Sequence, residues 1–195
     1  MGEGDQPVFY YDFNSPYAWL AAERVNHVLT TPPVWRPISF SHLLKHQQRL
    51  PWSLRDERDE GIAEVERRAQ ERGLPQVRWP EGWPADTVPL AGLRAATFAA
   101  DMGKSVSFSL AAFRQTFLAG RPMNEIDNVL LAGAACELHP NAIKAALERE
   151  SVKRKLTENT NEAIERGIEG VPTVAVEDQL FWGDDQLEHA ARAAS

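Results

Sequence analysis

The stretch "FNSPYAWL", Phe13 to Leu20, puts a hydroxyl, a proline and two aromatic rings in a place where folds keep chemistry. The run "VFYYDF" before it reads as a strand, and the residues after it have helical spacing. Ser15 followed by Pro16 is a good N-cap and first-turn pair, so the hydroxyl belongs at the tip of a helix. There it can cap backbone N–H groups, or it can hydrogen-bond an anion brought to the same tip. Both roles stay open from this stretch alone, which holds no thiol, histidine or metal ligand.

Two further constellations lie near the other end of the chain. Val171-Pro172 opens a strand pair in "GVPT", where an X-Pro bond takes either the cis or the trans form. In "FWGDDQLE", Asp184 and Asp185 precede a closing helix: they complement its dipole, and the N–H groups there suit a carboxylate.

Other candidates are weaker. His42 and His46 in "HLLKH" have the i, i+4 spacing of two metal ligands, but the zinc-protease pattern needs Glu where Leu43 stands. They read as a solvated or pocket-lining pair, and no metal is expected. "RDERDE" and "ERRAQER" read as wet helix faces. Phe113 and Phe117 read as core, with Arg114 between them able to reach an anionic substrate. Pro75, Pro80, Pro84 and Pro89 forbid a regular element between Leu74 and Pro89, leaving Trp79 and Trp83 on a loop. Those indoles either wall a pocket or cap the core from outside. Cys136 is the only cysteine, so no internal disulfide exists, and its apolar, helical surroundings read as core.

These residues need elements to hold them. After the strand over 8–13, helical spacing runs from Pro16 to about Leu29, and "VWRPI" returns as a second strand, parallel to the first. From Ser41 to about Arg166 nearly everything is helical, with "NAIKAALERESVKRKLTENTNEAIERG" reading as one uninterrupted segment. "TVAV" and "LFW" then flank a turn as a hairpin, and "DDQLEHAARAA" closes the chain as a helix. The fold class is α/β, with one layer built from 1–40 and 167–195 and an all-helical insertion over 41–166.

Composition sets the outer bounds. The 195 residues are 43% hydrophobic and 25% charged, as in ordinary globular proteins. A net charge of -7 argues against a nucleic-acid surface. No basic start leads into an apolar stretch, and no segment approaches the roughly 18 apolar residues of a membrane span, so a cytoplasmic location is expected.

A β-α-β start, a helical insertion and "GVPT" opening a hairpin together resemble the thioredoxin-like fold in its DsbA-type form. Redox members carry Cys-x-x-Cys at the start of the first helix. The matching residues here are Ser15, Pro16, Tyr17 and Ala18, so dithiol-disulfide exchange has no sulfur to use. Five segments in order, "DFNSPYAWL", "RRAQERGLP", "FRQTF", "NTNEAIERGIEGVPT" and "FWGDDQLE", are similar to the branch of kappa-class glutathione transferases and 2-hydroxychromene-2-carboxylate isomerases. One departure is Asp86, where that family often has Asn.

The resemblance implies glutathione, or another low-molecular-weight thiol, as cofactor. Ser15 would face its sulfur, Val171 and a cis Pro172 would pair with its backbone, and the segment Trp182, Gly183, Asp184 and Asp185 would receive its γ-glutamyl end. It also implies a homodimer and a small aromatic or unsaturated acid as substrate. Tyr17, Trp19, Trp52, Trp79 and Trp83 would wall that substrate, and Lys45 or Arg114 would take its carboxylate. The implied activity is an isomerisation in aromatic-compound degradation. A kappa-like transferase and a non-catalytic thioredoxin-like binding module are the alternatives. The physics permits the thiol: a pKa drop of about 2 units, roughly 2.7 kcal/mol, turns a free thiol mostly to thiolate at neutral pH. A helix N-terminus supplies about 0.3–2 kcal/mol and a hydroxyl hydrogen bond to the anion about 1.5–3 kcal/mol.

Overall fold

The computed structural model describes residues 6–194. Its four-stranded sheet has the order β2-β1-β3-β4, built from β1 (Val8–Tyr11), β2 (Val34–Pro37), β3 (Thr173–Val176) and β4 (Gln179–Trp182). β2 lies parallel to β1 with Val8 opposite Val34, as the sequence predicts, while β3 and β4 complete an antiparallel hairpin. Parallel neighbours need a crossover. Helices α1 (Pro16–Ala22) and α2 (Val25–Val28) supply it.

These two helices replace the single one expected from Pro16 to Leu29. Arg24 turns out of helical geometry at φ -121° and sends its guanidinium to the Asp184 carbonyl and the Glu188 carboxylate, the latter on the closing helix α10 (Leu187–Ala193). Tertiary pairing overrides local propensity there.

Between β2 and β3 stand α3 (Phe40–His46), α4 (Arg58–Glu71), α5 (Leu90–Asp101), α6 (Ser105–Ala119), α7 (Ile126–Ala134), α8 (Pro140–Glu148) and α9 (Glu150–Glu165). The last two were expected as one segment. Arg149 breaks it, with an extended ψ of 125° and its guanidinium 5.7 Å over the Phe98 ring. The result is a thioredoxin-like sheet interrupted by a helical insertion, the expected fold class.

Alternation along the strands divides the core in two. Phe9, Tyr11, Trp35, Val174 and Val176 join Phe108, Phe113 and Phe117 of α6, with Tyr11 and Phe13 5.7 and 5.0 Å from the Phe113 ring. The Tyr11 hydroxyl is satisfied by Ser109 at 2.6 Å. On the opposite face Val8, Tyr10 and Ala175 pack with Leu43 of α3 and Ala163 of α9. Each large apolar side chain buried this way contributes about 1.5–3 kcal/mol. The turn that leaves the C-terminal end of β1 carries Ser15. Cys136, just past α7, is buried at 5% exposure, and that burial raises its thiol pKa.

Candidate functional site

Ser15 takes extended geometry (φ -93°, ψ 113°) and starts α1: its Oγ accepts the Ala18 N–H at 3.1 Å. The same hydroxyl donates its proton to the Val171 carbonyl at 3.2 Å. The Val171-Pro172 peptide is cis, the form the resemblance implied. The hydroxyl, the helix tip and this proline open onto a cavity of about 270 Å³.

Asn14 fastens the loop that walls this cavity. Its Nδ2 donates to the Pro84 carbonyl at 2.9 Å, its Oδ1 accepts from Thr87 at 2.7 Å, and its carbonyl accepts from the Trp83 indole at 3.0 Å. Trp83 is thereby held in the wall beside Trp52 and Tyr17, with ring centroids 5.7 and 5.9 Å apart in that succession. Burial raises the Tyr17 phenol pKa, so its hydroxyl stays protonated.

Asp184 and Asp185 part company. Asp184 is 1% exposed and gripped by Arg68 of α4 at 2.6 Å and by Arg72, four residues on and just past the end of that helix. Its charge is spent on tying the closing segment to the insertion, although Asp184 also lines the cavity. The segment "ERRAQER" is not simply a wet face, because Arg68 and Arg72 point inward. Asp185 is exposed, lines the cavity and has no cationic partner among the described residues. Gly183 makes this possible: its φ is +120°, and a Cβ there would come within 2.5 Å of Asp185 Oδ1. Trp182 closes the rim, with Arg49 5.4 Å from the centre of its ring.

Three residues expected at the substrate site, two as walls and Arg114 as the partner of its carboxylate, lie elsewhere. Trp19 is fully buried and stacked on Phe117, on the core side of α1. Trp79 caps the core from outside, with its indole on Glu66 at 2.8 Å, so the two readings of the tryptophan loop divide between Trp79 and Trp83. Arg114 is held by Glu23 at 2.9 and 2.7 Å and lines no part of the cavity. Lys45 belongs to an adjoining apolar cavity of about 400 Å³, where Leu44, Leu50, Leu54 and Val88 lie. The two cavities share Asn14, Phe40, Pro51 and Ser53. Sequence reasoning missed Arg68, Phe40 and Pro51; the only signal for Arg68 was its i, i+4 spacing to Arg72. Among the described residues no three His, Cys, Asp or Glu side chains are placed to hold a metal ion.

Asp12 stands under this site. It is 2% exposed and accepts the N–H groups of Asn14 at 2.8 Å and Phe40 at 2.9 Å. Burial pushes its carboxyl up from 3.8 to about 6, against those two hydrogen bonds. Between these values the folded chain holds a proton that the unfolded chain releases, so stability falls as pH rises through that window. The loss is complete above pH 6 and on the order of 3 kcal/mol. Asp12→Asn should remove this slope at a cost of about 1–3 kcal/mol, because an amide can accept only one of the two N–H bonds through its oxygen. Parent and variant melting curves are thus expected to converge as pH rises from about 4 to 7. A constant gap across that range would refute the role.

The family model of the DSBA-like thioredoxin domain matches residues 8–194. The chain belongs to this family. Among solved structures this DSBA-like protein is similar to 2-hydroxychromene-2-carboxylate isomerase, at a TM-score of 0.83 and 22% identity over 96% of this chain and 93% of that one. It is also similar to the cytosolic disulfide reductase DsbM of Pseudomonas aeruginosa with GSH, at a TM-score of 0.62 and 17% identity over 97% and 95% of the two chains. No curated protein sequence matches it. In this DSBA-like domain Ser15 and Ala18 stand at the start of α1, and Cys136 is buried outside the cavity, so dithiol exchange finds no sulfur in the site. No helix among the described residues is long and apolar enough to cross a membrane.

Proposed function

We propose that this protein is a glutathione-dependent isomerase similar to 2-hydroxychromene-2-carboxylate isomerase. One observation carries the reading: a buried Ser15 hydroxyl beside the cis Val171-Pro172 peptide faces a cavity that contains no sulfur of its own. The residues present fit a tripeptide thiol. Asp185 offers a carboxylate with no cationic partner among the described residues for its ammonium, whereas Arg68, which also lines the cavity, is engaged by Asp184 and Glu64. Likeness in fold to the isomerase, and to a reductase solved with GSH, supports the choice.

Bound there, the thiol would supply the nucleophile for reversible conjugate addition to an unsaturated acid, the adduct's single bond permitting rotation before elimination. This chain's residues would do the rest. Ser15 would turn its proton from the Val171 carbonyl to the sulfur anion, a stronger acceptor than a neutral carbonyl. Tyr17, Trp52 and Trp83 would exclude water, which strengthens that hydrogen bond. The adjoining cavity would take the apolar body of the acid, with Lys45 for its carboxylate.

Calorimetry with glutathione, followed by thiol titration during turnover of an unsaturated aromatic acid, tests the reading. Saturable binding and an unchanged thiol concentration are expected. Stoichiometric thiol loss would make the protein a kappa-like transferase, and absence of heat would remove the cofactor.

A further inference from the structure

Two smaller cavities, of about 150 and 320 Å³, lie where α3, α5 and α9 meet, and they share Ser39, His42 and Leu90. The smaller presents Arg94 of α5 and Lys153 of α9 beside the hydroxyls of Thr157 and Thr160. The larger adds Lys45. No Asp or Glu lines either one, in a chain whose net charge is -7.

The cations there are poorly compensated. Arg94 Nε is buried with no acceptor among the described residues, and its Nη1 makes only a long hydrogen bond, 3.4 Å, to the Leu147 carbonyl. Lys153 is held by Glu150 at 3.0 Å and Glu148 at 3.6 Å, but these acids are 85% and 80% exposed, where water screens them. Glu150 raises the Lys153 pKa, and the nearby positive charge of Arg94 works against it. A buried guanidinium N–H without an acceptor is costly, and a like charge beside it adds to the cost. An anion between the two side chains would offset their like charges.

We propose that this junction is a second binding site, for a phosphate-class dianion held between Arg94 and Lys153. Two cations with no lining acid match a dianion better than a monoanion, and the guanidinium fork suits phosphate oxygens. The place of the site extends the argument. The larger basic cavity shares Ser41, Lys45 and Val88 with the apolar cavity, which in turn adjoins the one at Ser15. The three cavities are therefore neighbours, in the order serine, apolar middle, basic junction. The acceptor that would reach across all three is an unsaturated compound with an apolar body and a phosphoryl group remote from the reacting carbon. This last assignment rests on the thiol-dependent reading; the anion site itself does not.

Inorganic phosphate titrated into the full chain, followed by calorimetry, tests the site in the parent protein and in Arg94→Gln and Lys153→Gln. Saturable binding is expected, weakened about tenfold by either substitution, with glutathione affinity unchanged within about twofold. Lys153 is partly exposed, at 28%, so its variant reads the site even if Arg94→Gln folds poorly. No saturable phosphate binding, or equal binding by the parent and Lys153→Gln, overturns the proposal. Phosphate binding without glutathione binding would uphold the anion site while removing the thiol reading. Competition separates the two sources of phosphate: if the acceptor carries the group, free phosphate raises KM for a phosphorylated acceptor and leaves KM for its unphosphorylated analogue unchanged. Equal KM effects on both would overturn the assignment of the acceptor.

Discussion

Ser15→Ala is expected to slow turnover at pH 7 by roughly 10- to 100-fold, the effect of removing a hydrogen bond worth about 1.5–3 kcal/mol from an anionic sulfur. The direction with pH distinguishes catalysis from capping. Without the donor the bound thiol ionises at higher pH, so the rate profile should move up by about 1–2 units and the deficit should shrink in alkaline solution. Lost capping alone would cost about 0.5–2 kcal/mol of stability at every pH and leave the profile in place. Ultraviolet absorbance of the thiolate, read in parent and variant across pH, checks the shift directly. Identical titrations would reduce Ser15 to a helix cap.

The second large effect separates two neighbouring carboxylates. Asp184→Asn leaves Arg68 and Arg72 facing a neutral amide, and breaking a buried ion pair costs about 3–5 kcal/mol. Both guanidinium groups keep partial exposure, 23% and 20%, so the lower end applies. That corresponds to a melting point lower by about 6–12 °C for a chain of this size. Asp185→Asn is expected to change melting hardly at all, because the side chain is exposed, and to weaken glutathione binding about tenfold. Differential scanning calorimetry and glutathione titration of both variants suffice. The reverse pattern would exchange their roles.

Much of this arrangement was legible from residue types. Runs of β-branched and aromatic residues marked β1 and the hairpin, and Ser15-Pro16 marked the start of α1, because strand composition and caps are local properties. The breaks at Arg24 and Arg149 were not legible. Neither carries Gly or Pro; each is set by where a guanidinium docks, on Asp184 and Glu188 or over Phe98, and docking is a long-range event. Trp19 shows the same limit. Its ring type suits a pocket wall, but the face of α1 on which it falls packs on Phe117. Asp184 and Asp185 look alike in sequence, and only the burial of the first tells the two apart.

The lone thiol has a practical consequence. At 5% exposure and with a raised pKa, the Cys136 sulfur meets an alkylating reagent mainly when α7 and its neighbours part. The pace of labelling would therefore count openings of the helical region, one per tagged molecule, with no engineered reporter. For the same reason a covalently linked pair of chains on a non-reducing gel would signal molecules that had come apart first, not the assembly of intact ones.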